Sequence, residues 1–497
     1  MDEVLRFGTF ILIVAGGFSL ALLTSKLSER FPVPAPALFL VAAAIASDVF
    51  TGVSDHLPIQ TVERIGIVAL IVILFDGGMH VGWRRFRGSL APITTIGLVG
   101  TFATAAVMAV LAHALFDFSW TAAGILGAAL APTDPAVMFS VLGNREVAGR
   151  SGTILEGESG VNDPVGIALL LGLVELAGAD GGSTWAVAAD FSVQMAVGLA
   201  VGIAGAAVLL PVMRRISLPS EGLYPIRTLA AAGVIYGAAS VAHGSGFLAV
   251  FVAGLLIGDA RAPYKAEIER FHTSLASLAE IVVFVALGLT IDVTNLVTDG
   301  QWLDGLLLAL LLAFVARPLV VGPLLLPFRL RPGERLFVMW GGLRGAVPIL
   351  LAAFALLAGV EDSERLYNVV FIVVAFSVAI QGSTLPFAAR RLGVRMRSIQ
   401  PEPWNLSIGL RRDPERGLER FHVQRGSRAV GTSIRDLPIG ERSWISLIVH
   451  EGRPVQARGS YVFEPGDEVL VLTEPEDRAA LRRLFGTGTR SSEAERS

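Results

Sequence analysis

Apolar runs of about 18 residues or more recur between Phe7 and Phe387, divided by short polar breaks. Each run is long enough, as a helix, to cross a hydrocarbon core roughly 30 Å thick. The pattern predicts about thirteen spans. They lie near 7–24, 33–50, 63–79, 91–115, 120–142, 153–177, 188–213, 226–242, 246–258, 273–293, 303–327, 336–358 and 366–388. The first run follows Met-Asp-Glu-Val rather than a basic stretch, so it reads as a span and not as a cleaved signal. Composition agrees. The chain is 53% hydrophobic and 17% charged, whereas a soluble domain is about a quarter charged.

Charge placement orients the spans. Every second connection is basic: Lys26 and Arg30; Arg84, Arg85 and Arg87; Arg145 and Arg150; Arg214, Arg215 and Arg227; Arg261, Lys265 and Arg270; Arg329, Arg331 and Arg335; Arg390, Arg391, Arg395 and Arg397. The intervening connections are mainly acidic, with Asp48, Asp55, Asp117, Asp180, Asp292 and Asp299 among them. Positive-inside bias puts the N-terminus outside and the C-terminus in the cytoplasm of a multi-pass inner-membrane protein. The same alternation argues for two short crossings around His243-Gly244-Ser245-Gly246 rather than one long one.

Two spans are interrupted. The fifth holds Ala131-Pro132-Thr133-Asp134-Pro135 and the twelfth holds Gly341-Gly342-Leu343-Arg344-Gly345-Ala346-Val347-Pro348. Proline removes a backbone donor and crowds the preceding turn, so neither helix is expected to run through. Irregular backbone at this depth is tolerated only where protein or a water-filled cavity satisfies it. The breaks are seven spans apart, so their helices run in opposite directions. Broken helices in inverted positions point to the midplane site of a secondary transporter.

The sixth span carries Glu156, Glu158, Ser159, Asn162 and Asp163. Helical spacing sets Ser159 over Asp163. Asp163 lies about ten residues into the span, roughly 15 Å at helical rise. A carboxylate there is neutralised at low cost either by a proton or by a bound cation, and the two exclude each other. That competition is what an exchanger needs. Hard oxygen donors suit an alkali ion, and Asp163, the Ser159 hydroxyl and Thr133 supply some. Asp134 either offsets the positive ends of half-helices or joins the ion site. Asp76 is a funnel residue, a further ligand or an interface residue. Glu158 is the expected partner of Arg344, since a buried arginine needs a counter-charge. His80 and His272 are candidate pH sensors.

The strings "LFDGG", "APTDPAV", "LEGESGVNDPVG" and "GGLRGAVP", in that order, resemble the monovalent cation:proton antiporters of bacteria, in their electroneutral branch. The resemblance covers about residues 1–395. It implies an all-α membrane domain of inverted repeats, a homodimer, and a core that alternates access by an elevator-like motion. It implies one-for-one exchange of potassium or sodium for protons. By position Asn162 and Asp163 resemble the family's Asn-Asp pair, with Asp163 as carrier. Ser159, Thr133 and Asp76 match ion-lining positions, and Glu158 with Arg344 matches a structural ion pair.

After a linker at 396–416, residues 417–485 lose the long apolar runs and show short alternating stretches, with "EPGDEV" at a turn and a closing helix. This reads as a small α+β domain in the cytoplasm, followed by a disordered tail at 486–497. The segment is similar to the TrkA-C domain, the C-terminal part of regulators of potassium conductance. That resemblance implies dimerisation and a nucleotide or other small regulatory ligand, and it favours potassium over sodium for ion, pH and volume homeostasis.

Other classes fare worse. With no cysteine, thiol catalysis and thiolate metal sites are excluded. No nucleophile–base set or nucleotide-binding loop points to an enzyme or to a cofactor in the membrane domain. A channel gated by the tail should show a carbonyl-lined filter of the Thr-Val-Gly-Tyr-Gly kind, which is absent. No interaction with nucleic acid is expected.

Overall fold

The computed structural model describes residues 34–49, 58–134, 137–138, 142, 145–147, 149–177, 183–398, 417–439, 443–450, 453–473 and 477–486. The expected span at 7–24 and the expected tail beyond 486 lie outside them, as does most of the linker. The chain divides into two compact units, Met1–Pro401 and Glu402–Ser497.

The first unit is helical. Its main helices are α1 (Ala35–Val49), α2 (Ile59–Val81), α3 (Leu90–Phe116), α4 (Trp120–Leu130), α5 (Arg150–Ala177), α6 (Thr184–Arg215), α7 (Leu223–Val241), α8 (Gly246–Gly258), α9 (Lys265–Gly288), α10 (Gln301–Leu324), α11 (Pro332–Gly341), α12 (Ala346–Leu357) and α13 (Ser363–Arg391). Among the described residues, seven are long and apolar enough to cross a membrane, and α11 with α12 forms an eighth as a bent pair. The shorter apolar helices fall within α1, α4 and α8. A helix therefore stands near each expected span after the first.

The short pair expected near residue 243 is two helices. α7 stops at Val241, and α8 starts at Gly246 with Ser245 as its cap, the Ser245 hydroxyl accepting the Leu248 N–H. Apolar side chains point outward, among them Val193, Ile203 and Val208 on α6 and Phe314 and Leu319 on α10. A water-soluble globule would bury these, and lipid covers them without penalty.

Both expected breaks are present. α4 ends at Leu130, and 131–134 is not helical. α11 and α12 meet across Gly342–Gly345 with a 41° bend. α5 packs on α4, α6, α11 and α12, and α12 also packs on α4 and α9, so the two breaks and α5 share one neighbourhood. Three helices change to π pitch near it, at Thr95–Gly100 in α3, Leu312–Ala316 in α10 and Ser377–Gly382 in α13. Such turns release backbone groups and are frequent at functional sites.

A two-stranded antiparallel ribbon pairs β1 (Arg145–Val147) with β2 (Met396–Ser398). Residues 396–398 therefore belong to the membrane unit and not to the linker, a correction to the expected boundary. Alternation over three residues is too short to read as a strand.

The second unit is a four-stranded antiparallel sheet with order β3-β6-β4-β5, built from β3 (Gly417–His422), β4 (Trp444–His450), β5 (Arg453–Val455) and β6 (Glu468–Thr473). The helix α14 (Arg478–Phe485) buries Leu481, Leu484 and Phe485 against Phe421, Ile448, Phe463, Val469 and Val471. The Glu464–Asp467 turn leads into β6, and its Asp467 side chain is enclosed. That carboxylate accepts from the Tyr461 hydroxyl (2.8 Å) and the Glu464 N–H (2.9 Å), and it meets His450 Nδ1 at 2.6 Å.

Candidate ion-binding site

The α5 sequence Glu158–Asp163 faces the first break. Asn162 grips Thr133 from two sides: its Nδ2 donates to the Thr133 hydroxyl (2.9 Å), and its Oδ1 accepts the Thr133 N–H (3.3 Å). Ser159 donates to the Thr133 carbonyl at 2.6 Å. A backbone segment that cannot use helical bonds is thus held by two side chains four residues or less apart on α5. Pro164, inside α5, also removes the N–H that the Gly160 carbonyl would otherwise accept.

Asp163 is 3% exposed, and its Oδ1 is fully enclosed with no hydrogen-bond partner among the described residues. Thr133, Ser159 and Asn162 around it are equally buried. An enclosed carboxylate oxygen with no donor is unstable as a bare anion. It is open to a proton or to a cation, and the nearby Thr133 and Ser159 oxygens are hard donors.

The second break approaches the first directly. The Asp134 N–H donates to the Leu343 carbonyl at 2.8 Å. A Cβ at Gly345 would collide with the Asp134 carboxylate, and one at Gly342 with the Arg317 guanidinium. Both positions therefore require glycine for close approach. Asp134 acts electrostatically on Asp163.

The expected Glu158–Arg344 ion pair is not formed. Glu158 pairs with Arg317 of α10, Nη1 to Oε1 at 2.8 Å and Nη2 to Oε2 at 3.0 Å, both residues being buried. Arg317 also donates to the carbonyls of Met339 and Val338, at the end of α11. Arg344 instead donates to the carbonyls of Leu130 (3.0 Å) and Ala131 (3.5 Å) at the end of α4, and to that of Gly342 (2.6 Å) in its own break, while the Ser377 hydroxyl accepts its N–H. Each arginine thus caps the C-terminal end of one half-helix, where unsatisfied carbonyls and the dipole concentrate negative potential. This is why Arg344 is buried without a carboxylate of its own. Sequence reasoning missed Arg317; its signal was a single arginine, followed by proline, inside the apolar run 303–327.

Asp76 finds its partners on α2 and α9. Its Oδ1 accepts from the Thr273 hydroxyl of α9 at 3.3 Å, and His80 Nδ1 lies 3.4 Å from its Oδ2. It is an interface carboxylate between α2 and α9. His80 is half exposed, whereas His272 is fully buried, with Nε2 2.8 Å from the Thr228 hydroxyl.

Both the sequence and the fold have known relatives. The family described as "Sodium/hydrogen exchanger, transmembrane" matches residues 17–391, and the TrkA-C domain matches residues 418–486. The chain belongs to the sodium/hydrogen exchanger family. It is 33% identical over 475 residues to the K(+)/H(+) antiporter NhaP of Alkalimonas amylolytica, covering 94% of this chain and 81% of that relative. It is 32% identical over 494 residues to the K(+)/H(+) antiporter NhaP2 of Shewanella sp. (strain ANA-3), covering 98% and 85%. The fold of this exchanger chain is similar to that of the sodium proton antiporter MjNhaP1 from Methanocaldococcus jannaschii, with TM-score 0.66 and 24% identity over 77% of this chain and all of that one. In this member of the family, then, the two broken helices and the buried Asn162-Asp163 pair lie in the membrane unit, and a TrkA-C domain follows it.

Proposed function

We propose that this protein is a secondary antiporter that exchanges cytoplasmic potassium for external protons, one for one, with Asp163 as the group that carries either ion. The observation that carries the reading is the enclosed, donorless Asp163 Oδ1 beside the oxygens of Thr133 and Ser159, between two broken helices. A proton on Asp163 removes the charge that would hold a cation, and a cation displaces the proton. Exchange follows if only the occupied site changes sides, and no ATP is needed. Asn162 has a positioning role: it fixes Thr133 and cannot itself ionise, which fits an electroneutral cycle. Asp134 tunes the field at the site.

The finer architecture belongs to the same reading: thirteen crossings, inverted repeats related by the two breaks, an N-terminus outside and a C-terminus in the cytoplasm, and a homodimer whose core moves against a fixed scaffold. The meeting of Asp134 with Leu343 supports the repeat symmetry. The basic connections support the orientation. The TrkA-C domain would act as a regulatory module that takes a nucleotide or other small ligand. Potassium is favoured because the relatives named K(+)/H(+) antiporters match nearly the whole chain, TrkA-C domain included. A sodium/proton exchanger is the second reading, favoured by a 27% identical relative named Na(+)/H(+) antiporter NhaH of Halobacillus aidingensis, which matches 65% of this chain.

Inverted vesicles carrying an imposed pH gradient test this. Potassium should dissipate the gradient, sodium should do so less, and membrane potential should not alter the rate. An Asp163→Asn protein that exchanges at the wild-type rate would falsify the assignment.

A further inference from the structure

We propose that Glu280 on α9 is a second carboxylate station for the transported cation, at a depth in the membrane unit similar to that of Asp163; the inference rests on the exchange reading above. Glu280 sits about 22 Å along α9 from Lys265, at helical rise, within one of the apolar crossing helices. Its Oε1 is fully enclosed and has no hydrogen-bond partner among the described residues. Asp134 acts electrostatically on Glu280, as it does on Asp163. Asp163 Oδ1 and Glu280 Oε1 are thus both enclosed carboxylate oxygens without a donor among the described residues.

Helical geometry extends the argument toward the other end of α9. Glu269, Thr273 and Glu280 fall on one narrow stripe of α9, four and seven residues apart. At the rim Glu269 meets Lys265 at 3.3 Å. One turn further, Thr273 donates to Asp76 of α2. Two turns beyond lies Glu280, and α9 also packs on α12, the half-helix that begins at the second break. Carboxylates thus recur along a single line between the end of α9 at Lys265 and the broken helices.

No basic group among the described residues neutralises Glu280. Of the elements packed on α9, α12 carries no charged residue and α1 carries only Asp48, whose carboxylate accepts the Val293 and Thr294 N–H groups. On α7, Arg227 donates to the carbonyls of Val212 and Ile216. On α2, Asp76 is engaged by Thr273 and His80, and Glu63 and Arg64 lie at the opposite end of that helix. Buried His272, on α9 itself, is bonded to Thr228. A half-buried carboxylate with one fully enclosed oxygen and no counter-charge is costly as a bare anion. A passing alkali ion, which takes oxygen donors, removes that cost, and Glu280 then lends affinity to cation loading.

The test is cation-driven exchange by the full chain in inverted vesicles, wild type beside Glu280→Gln, Glu280→Asp and Asp163→Asn. Glu280→Gln is nearly isosteric and keeps the fold if its purified form stays monodisperse. The expected result is an apparent KM for potassium raised about tenfold, the effect of losing one charged oxygen ligand, with little change in maximal rate. Glu280→Asp should shift KM less. An unchanged KM in Glu280→Gln overturns the proposal, as does a collapse in maximal rate at unchanged KM, which would make Glu280 part of the conformational step. If Glu280→Gln aggregates, Glu280→Asp decides by the same split of KM from rate. Exchange by wild type, none by Asp163→Asn and no effect at Glu280 would sink this inference alone. Wild-type exchange retained in Asp163→Asn would sink the reading beneath it.

Discussion

Glu158 and Arg317 face each other through two parallel hydrogen bonds, 2.8 Å and 3.0 Å long, buried between α5 and α10. The guanidinium also caps the end of α11, so a single side chain ties three helices together. Removing one member leaves the other charged and dry, which typically destabilises by about 3–5 kcal/mol. Arg317→Met should therefore lower the melting temperature of the detergent-solubilised protein sharply. Glu158→Gln should do the same, and the double variant should lose less than the sum, because it leaves no orphan charge. Additive losses in that cycle would show that the two residues act separately.

The glycine at the second break makes a different demand. A Cβ at Gly345 would overlap the Asp134 carboxylate, so Gly345→Ala must push the two breaks apart. The Asp134–Leu343 hydrogen bond then stretches, and Asp163 loses its enclosure. Exchange should fall strongly while the protein stays folded, since overpacking costs about 1–3 kcal/mol. Gly359→Ala is the control; it has open space for a Cβ but a positive φ of 67°, so it tests strain alone. Equal exchange rates in the two variants would remove the close approach from the mechanism.

Much of this site could be read from residue order, because proline and a midplane carboxylate leave strong marks. Pro132 ends α4 chemically, and Asn162-Asp163 stands out against its apolar surroundings. The partner of Glu158 could not be read that way. Arg317 and Arg344 are both intramembrane arginines far from Glu158 in sequence, and only packing decides which of them reaches it. Glu280 was likewise hidden, since one acid in the run "LAEIVVF" has no motif around it. The three π turns left no sequence mark, because pitch follows from tertiary packing. Asp76 is readable as a funnel, ligand or interface residue, but its hydrogen-bonding partner on α9, Thr273, is almost 200 positions away, and only the fold brings the two together.

Asp467 is the polar anchor of the TrkA-C domain. Its enclosed carboxylate serves Tyr461, the Glu464 amide and His450 at once. Asp467→Ala strands those donors and should destabilise the domain by about 3 kcal/mol. Limited proteolysis of the full chain should cut within 417–485 much faster, while the membrane unit keeps its melting temperature. Equal cleavage rates would show that the turn is held by its apolar neighbours.

The last prediction concerns pH and follows from one carboxylate serving two ions. Lowering pH raises proton occupancy of Asp163, so the cation must compete harder. Apparent KM for potassium should rise as cytoplasmic pH falls, by up to about tenfold per unit once the proton dominates, and should level off at high pH. Maximal rate at saturating potassium should change much less, because enough cation displaces the proton. Initial rates in vesicles, measured over a grid of pH and potassium, separate these quantities. If proton and cation used different groups, KM would stay flat with pH and maximal rate would titrate instead. Ser159→Ala sharpens the test. It removes one hard oxygen and the bond to the Thr133 carbonyl, so KM should rise at every pH while its dependence on pH keeps the same slope.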